Sequence, residues 1–409
     1  MPMKTRLTPF LVPALMLTCL AAGAQSLTRA DSTARRLADA GFANVRVAET
    51  PEFTVFTVEN DYYKIPAEGF ARAVQILEGA GLDWTKPVKL IGTSYKVPEV
   101  TITYEPASGR WNTTKRLDAS WDAVRKAPKL NDSFGKVDLT LYPALSLKNL
   151  IINQVYQTLW EIKPTLEVSL WPGSRLSYQL IVPVYTDFFE TAVKKVHPGF
   201  ITLSQRFRDP WHLNILGKLS VGYFSGDRYG VALEAAHWFR NERFWVDTQL
   251  GILRPAQWNG FRFRDYYQER TFFAWNFAGN YYNPSLQTQF TLRAQRFLAY
   301  DYGLKFEMIR HFRRCSVGFY AEKGVVVYDG VVYNSPHTNG GFRVQVALPP
   351  YRMKRHGYIP RVTTSGQMGI GYNANNEQQY YREYRTESSD NIMSKNYYNP
   401  YFINSQLGK

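Results

Sequence analysis

The sequence predicts a mainly β protein, an antiparallel transmembrane β-barrel of about 12–16 strands with a small N-terminal α+β domain. From Val137 onward, apolar and polar side chains alternate over long runs. Many runs are near or above ten residues, which is longer than the 5–6 residues of a typical globular strand and close to the 9–11 that cross a bilayer. Tyr and Trp gather near the predicted strand ends, as they do in the headgroup zone of membranes.

The N-terminus is predicted to be a secretory signal peptide over residues 1–24. Lys4 and Arg6 give it a positive start, a short apolar core follows, and small residues precede Gln25. After cleavage Cys315 is the remaining cysteine, so no internal disulfide is expected. No later stretch reaches the roughly 18 consecutive apolar residues of a transmembrane helix.

Residues 26–105 are predicted to form a small periplasmic α+β domain. The apolar positions of "TRADSTARRLADAGF" fall on one helical face, and "PAEGFARAVQILEGAG" has Pro66 near its start and Gly81 after its end. "EFTVFTVEN", "KPVKLIG" and "PEVTITYE" are typical of strands. Residues 106–135 are polar and irregular, and they are predicted to be a linker or a plug-like segment.

Residues 136–372 are predicted to be the outer-membrane barrel, and residues 373–409 a polar C-terminal tail. The hydrophilic turns "GDRY", "RNER" and "FRR" are expected at one end, with longer loops, residues 255–269 and 328–340, at the other. Short turns on one side and longer loops on the other are typical of outer-membrane barrels.

Alternation assigns individual side chains to two faces of this sheet. The polar face is predicted to line a lumen, with Glu167, Lys218, Asp247, Gln287, Gln289, Arg293, Gln295, Lys305, Glu307, Arg343 and Gln345. The apolar face is predicted to meet lipid, with Leu213, Ile215, Leu219, Val221, Leu286, Phe290, Leu292, Phe306, Met308, Phe342, Val344 and Val346.

The chain carries 49 Lys+Arg against 34 Asp+Glu, a net charge of +15. Arg, Lys and Gln on a lumenal face suit the passage of a hydrophilic polymer, anionic or neutral, since rings of basic residues favour anions. The alternative is that lumenal charges pair with one another and make the barrel rigid. Nucleic acid is not an expected partner, because the basic residues are spread over strands and no recognition module is evident.

No catalytic motif is evident, so the chain is predicted not to be an enzyme, and no cofactor or metal is expected. Two competing interpretations stay open. One is a secreted carbohydrate-binding β-sandwich, because sandwich strands also alternate. The other is an outer-membrane barrel hydrolase that uses lumenal carboxylates.

A family resemblance lies in the order of three motifs, "RFLAYDYGLKFEMIRHF", "SVGFYAE" and "GGFRVQVALP". Together they resemble the YjbH/GfcD-like family of outer-membrane exopolysaccharide and capsule secretion barrels. The main matching positions are Arg296, Phe297, Leu298, Asp301, Gly303, Arg310, Phe312 and Gly318. "YGVALEAAHWFRNERFWV" and "WPGSRLSYQLIVPVYTDF" are also similar to it.

The resemblance implies an outer-membrane barrel of a Gram-negative bacterium that takes part in exopolysaccharide export or surface assembly. It implies partnership with a periplasmic or outer-membrane polysaccharide export protein. The expected mechanism is passive: a polar-lined path through outer-membrane lipid, with the periplasmic domain docking the remaining export machinery. The chain is shorter than the larger members, with one α+β domain where they hold more.

Overall fold

The computed structural model describes residues 28–149, 156–188, 194–209, 213–265, 271–298, 301–328, 331–365, 367–373, 383–386 and 392–407. Strands account for 58% of the chain and helices for 13%, which confirms a mainly β fold. The predicted signal peptide lies outside the described residues. No helix within the described ranges is long and apolar enough to cross a membrane.

The first unit is a five-stranded sheet flanked by three helices. In chain order it contains α1 (Arg29–Asp39), β1 (Ala43–Glu49), β2 (Thr54–Glu59), α2 (Pro66–Glu78), β3 (Val88–Ser94), β4 (Val97–Glu105), β5 (Arg110–Thr114) and α3 (Ala119–Val124). The strands lie side by side in chain order. β2 and β3 run parallel because α2 connects them, and the other neighbours are antiparallel. We call residues 28–124 the N-terminal unit.

Local sequence explains where the helices of the N-terminal unit begin. The Thr28 hydroxyl accepts a hydrogen bond from the Asp31 N–H and the Asp31 carboxylate accepts one from the Thr28 N–H, which is a capping box. Pro66 occupies the first turn of α2, where its missing N–H costs nothing. Leu37 and Phe70 point from the two helices into the core and are fully buried.

The prediction of a linker or plug-like segment over residues 106–135 is wrong for the first half of that range. Arg110–Thr114 forms β5, which pairs with β4, and the left-handed Gly109 (φ 63) makes the turn between the two strands. Asp118 then caps α3, and the α3 residue Val124 is buried against the sheet. The N-terminal unit therefore extends about twenty residues beyond the predicted boundary, because a short polar strand with a turn before it lacks a strong apolar pattern.

The second unit is a single large sheet. Its strands are β6 (Val137–Asn149), β7 (Tyr156–Val168), β8 (Ser174–Thr186), β9 (His197–Arg208), β10 (Ile215–Phe224), β11 (Arg228–Trp238), β12 (Phe244–Asn259), β13 (Arg262–Asp265), β14 (Phe272–Asn283), β15 (Thr288–Arg296), β16 (Asp301–His311), β17 (Cys315–Tyr328), β18 (Val331–Ala347), β19 (Arg361–Thr364) and β20 (Gln367–Asn373).

Neighbouring strands of the large sheet follow one another along the chain and are antiparallel from β6 to β18, with β13 paired to β12 outside this path. β20 pairs with β18, and β19 pairs with β6 in parallel. β19 and β20 are separated by two residues only. Within the described residues no hydrogen-bond ladder joins β20 directly to β6.

The large sheet has two ends, of which one carries the N-terminal unit. We call these the docked end and the far end. The turns 239–243 and 312–314 lie at the docked end, where Glu242 accepts from Thr114 Oγ1 and Glu68 binds Arg313 and Arg314. The prediction placed "GDRY" with these turns, but it lies at the far end, because successive turns of an antiparallel meander alternate between ends.

Two further loop predictions need correction. Most of residues 328–340 belong to the β17–β18 hairpin, with Val327 paired to Val332 and Glu322 to Asn339. β12 continues to Asn259 and pairs with β13, so much of the predicted loop 255–269 is a short hairpin. Charged and Gly-rich residues within a hairpin resemble a loop in composition, and pairing with a long neighbouring strand decides their structure.

The C-terminal region also differs from the predicted polar tail. α4 (Pro400–Gln406) packs against α2 and β5 of the N-terminal unit, with Phe402 and Ile403 buried. The described residues before α4 contact the large sheet. We call residues 383–386 and 392–399 the C-terminal segment. Its polar side chains contact the polar, buried face of the large sheet. The polar composition of the C-terminal segment therefore does not mean that the segment is exposed to solvent.

Candidate functional site

The two faces of the large sheet have opposite chemistry, and the polar face is the buried one. Six side chains predicted to be lumenal are buried: Lys218, Gln289, Gln295, Lys305, Glu307 and Gln345. Glu167, Asp247, Arg293 and Arg343 are half-buried on the same face. Gln287 instead lies in the turn before β15 with a left-handed φ of 48°, so strand alternation does not extend to it.

The opposite face exposes large apolar side chains. Ile252 is 62% exposed, Leu292 57%, Leu304 55% and Phe277 54%. The predicted lipid-facing residues Leu219, Val221, Phe306, Phe342 and Val346 are exposed, and Ile215, Phe290, Met308 and Val344 are half-exposed. Leu213 and Leu286 are exposed, but both precede a strand rather than belonging to one. A soluble monomer rarely exposes such a continuous apolar surface.

Charges on the buried face are paired with one another. Lys218 Nζ lies 3.0 Å from a Glu234 oxygen, and Arg293 Nη2 lies 3.4 Å from Asp247 Oδ1. Arg175 pairs with Glu167. Asn280 Nδ2 donates to Asp247 at 2.7 Å. Of the two expectations for these charges, mutual pairing is the one the contacts favour.

The C-terminal segment lies against the buried face of the large sheet. Glu383 accepts hydrogen bonds from Lys305 Nζ at 2.7 Å and from Gln295 Nε2 at 3.0 Å. Thr386 donates to Glu234 at 2.7 Å and its carbonyl accepts from Thr202. These contacts reach strands β9, β11, β15 and β16, so the sheet curls around the segment.

The second part of the C-terminal segment makes further contacts nearer the docked end. Lys395 Nζ donates to Glu307 Oε2 at 2.6 Å, and the Met393 N–H donates to Gln345 Oε1 at 3.2 Å. Ile392 is fully buried and packs over Gly318, where a Cβ would lie 3.3 Å from its Cδ1. Gly318 therefore provides room for the segment.

Tyr384 ends this polar space with an apolar cluster near the far end. The cluster contains Tyr384, Phe224, Ala232, Leu253, Phe272, Ala274 and Leu298, all buried. The Tyr384 ring lies 5.8 Å from that of Phe224. Tyr384 therefore lies between this apolar cluster and the polar side chains that line the neighbouring cavity.

The positions that carry the family resemblance separate into two groups. At the far end Arg296 is the last residue of β15, Phe297 and Leu298 follow it, and Asp301 is the first residue of β16. The Phe297 N–H donates to the Asp301 carbonyl at 2.8 Å. Gly303 follows, close to the Lys323 carbonyl. Arg310 and Phe312 lie at the docked end, exposed, with the guanidinium over the ring. The motif residues therefore lie at opposite ends of the β15–β16 hairpin and do not form one cluster.

Three neighbouring cavities share lining residues between the N-terminal unit and Tyr384. A cavity of about 560 Å³ lies between the N-terminal unit and the docked end. It shares Arg206, Trp245 and Lys395 with a cavity of about 390 Å³, which in turn shares Lys218, Glu234 and Arg293 with one of about 220 Å³. Glu383 and Tyr384 line the last of these.

Sequence reasoning missed the residues that close this space. Glu383, Tyr384 and Lys395 lie in the region predicted as a tail, and Lys115 and Glu99 were not singled out. Two features of the sequence could have indicated an ordered C-terminal region. They are the apolar pair Ile392 and Met393 within a polar stretch, and Pro400, which is typical of the first turn of a helix.

No group of three or more His, Cys, Asp or Glu in the described ranges has the geometry of a metal site. The polar space can bind and orient hydroxyl, carboxylate and ammonium groups through the side chains described above. No protein-family model, curated protein or solved structure matches the chain.

Proposed function

We propose that the chain is an outer-membrane β-barrel that takes part in exopolysaccharide export or surface assembly in a Gram-negative bacterium. The observation that carries the proposal is the inverted polarity of the large sheet. Its exposed face is apolar over strands of 9–17 residues, and its buried face holds paired charges. This combination suits hydrocarbon outside and water inside.

The proposed barrel closes through β19. Strands β6 to β12 and β14 to β18 make twelve, and β19 with β20 forms the thirteenth. In an up-and-down meander with an odd number of strands, the first and last strands run in the same direction. The parallel pairing of Val362 with Leu139 supports closure in this way.

The proposed orientation places the N-terminal unit in the periplasm. It contacts the turns 239–243 and 312–314 of the docked end. This orientation is supported by the family resemblance, which implies a periplasmic location for the α+β domain. The C-terminal helix α4 packs on the same unit. The unit and α4 together offer the surface for a periplasmic or outer-membrane export protein, which the family resemblance suggests as partner.

The proposed path is polar and closed at rest by the C-terminal segment. Carboxylates and cations line the connected cavities, and Tyr384 ends them at the far end. Movement of a polysaccharide, anionic or neutral, through the barrel therefore requires the segment to leave its contacts with Lys305 and Glu307. Export is thus proposed to be gated rather than freely open.

The alternative interpretation, a carbohydrate-binding β-sandwich, requires two sheets that pack together through apolar inner faces. The buried face here carries ion pairs such as Lys218–Glu234, and that favours the barrel. The barrel hydrolase stays a prediction without a specific supporting contact.

The proposal is tested by deleting the gene in a host that makes a surface polysaccharide. We expect surface polysaccharide to fall and to return when the full chain is supplied again, with the chain recovered in the outer-membrane fraction. Unchanged surface polysaccharide in the deletion strain would contradict the export role, and recovery of the chain as a soluble protein would contradict the membrane location.

A further inference from the structure

The cavity of about 560 Å³ at the docked end has an excess of cationic side chains. Its lining includes Lys64, Lys115, Arg175, Arg206, Arg361 and Lys395, against the carboxylates of Asp61 and Glu99. Several of these cations also reach acids outside the lining, including Glu167 and Glu307. The cations nevertheless face the same enclosed space.

One part of this cavity concentrates the positive charge. Glu99 Oε2 lies 3.4 Å from Lys115 Nζ, and its Oε1 lies 3.2 Å from Arg206 Nη1, so Glu99 contacts two cations. Glu99 and Lys115 are both buried. Burial lowers the pKa of Lys115 to about 8; the carboxylates of Glu99 and Glu242 oppose this shift, and the Arg208 guanidinium adds to it. A bound anion would act in the same direction as these carboxylates and favour the charged form of Lys115.

Aromatic rings form the walls beside these cations. Arg175 and Arg206 lie over the Tyr95 ring, at 5.2 and 5.6 Å from its centroid. Lys115 lies over the Trp238 ring at 4.7 Å. Guanidinium groups bind carboxylates in a bidentate manner, and aromatic faces pack against the C–H faces of sugar rings.

We propose that this cavity binds a carboxylate-bearing saccharide, with Lys115 and Arg206 at the carboxylate and Tyr95 and Trp238 against the sugar ring. The inference rests on the proposed function and adds to it a substrate class and an entry site. The cavity shares Arg206 and Lys395 with the adjoining cavity on the buried face of the large sheet, so a bound chain would lie next to the proposed path.

The test measures binding of trigalacturonate to the full chain in detergent by calorimetry, with neutral maltotriose and inorganic phosphate as comparison probes. Trigalacturonate is expected to bind at least about tenfold more tightly than either. The variant Lys115→Met is expected to lose about ten- to a hundredfold in affinity, since it removes a charge-assisted contact. Lys86→Met is the matched control, because Lys86 pairs with Glu49 away from the cavity.

A second readout uses the unmodified protein. Because a bound carboxylate stabilises the charged form of Lys115, binding should take up protons near pH 8 and almost none near pH 6. Affinity should also fall as the pH rises through about 8, where Lys115 loses its charge.

Equal binding of inorganic phosphate or maltotriose would overturn the saccharide assignment. Equal affinities of wild type and Lys115→Met, or an absence of proton uptake near pH 8, would overturn the role of Lys115. Absence of binding while gene deletion still removes surface polysaccharide would reject this site and leave the proposed function standing.

Discussion

Replacing Glu383 with glutamine is expected to open the interior of the proposed barrel and to raise its conductance in planar lipid bilayers. Lys305 is buried and Glu383 is its nearest carboxylate, at 2.7 Å. Breaking a buried ion pair by removing one partner costs about 3–5 kcal/mol, and the partial exposure of Glu383 places the cost near the lower limit, about 3 kcal/mol. This cost changes the equilibrium between the bound and the displaced C-terminal segment by about a hundredfold in favour of the displaced form.

Glu322→Gln is the matched control for this prediction. Glu322 is a second carboxylate partner of Lys305, at 3.7 Å, but it lies on β17 in the wall of the sheet. Its loss weakens the wall without releasing the C-terminal segment, so the conductance should stay low. Low conductance of both variants, or equal increases, would show that Glu383 does not hold the interior closed.

Replacing Asp61 with asparagine is expected to loosen the N-terminal unit from the large sheet. Arg355 and Arg361 each bind both Asp61 and Asp138, with four N–O distances between 2.6 and 2.8 Å. All four side chains are at most 23% exposed. Replacing Asp61 leaves the two buried guanidinium groups with Asp138 as their shared carboxylate. Breaking such a buried contact costs about 3–5 kcal/mol of stability. We expect faster trypsin cleavage after Lys129, in the segment that joins the two units.

A second ion pair across the same junction gives the control. Glu68 binds Arg313 and Arg314; the Glu68 side chain is 9% exposed, but the two arginine side chains are 57% and 43% exposed and stay in contact with water, as in an exposed pair. Exposed pairs contribute about 0–1 kcal/mol, so Glu68→Gln should change the cleavage rate little. Equal protection of the Asp61→Asn variant and the wild type would mean that other contacts, such as those of Lys64 and Glu242, hold the unit in place.

Strand alternation predicted the facing of most side chains because a β-strand has a strict period of two. Gln289, Lys305 and Glu307 were assigned from the sequence to the polar face, which the structure buries. Gln287, Leu213 and Leu286 lie outside the strands, so alternation does not apply to them, although Leu213 and Leu286 are exposed as expected. At Gln287 the left-handed backbone interrupts the alternation.

The site itself could be predicted only in part. Its wall follows from alternation, but its closure depends on contacts between residues far apart in the chain, such as Gln295 with Glu383. Sequence patterns assign a polar segment to the solvent-exposed surface. The C-terminal segment instead contacts polar side chains on the buried face of the large sheet. For the same reason the polar composition of residues 106–135 predicts a linker, although Arg110–Thr114 completes the five-stranded sheet.

The most direct test of the account compares two Leu→Arg variants by the fraction of chain assembled in the outer membrane. Leu292 lies at the middle of β15 on the exposed face, and Leu130 is 45% exposed before the first strand of the large sheet. In water both changes should be nearly neutral, whereas in lipid an arginine near the bilayer midplane costs about 2–4 kcal/mol. We expect Leu292→Arg to impair assembly, whereas Leu130→Arg should assemble as wild type. Equal assembly of the two variants would contradict a lipid-facing position of Leu292.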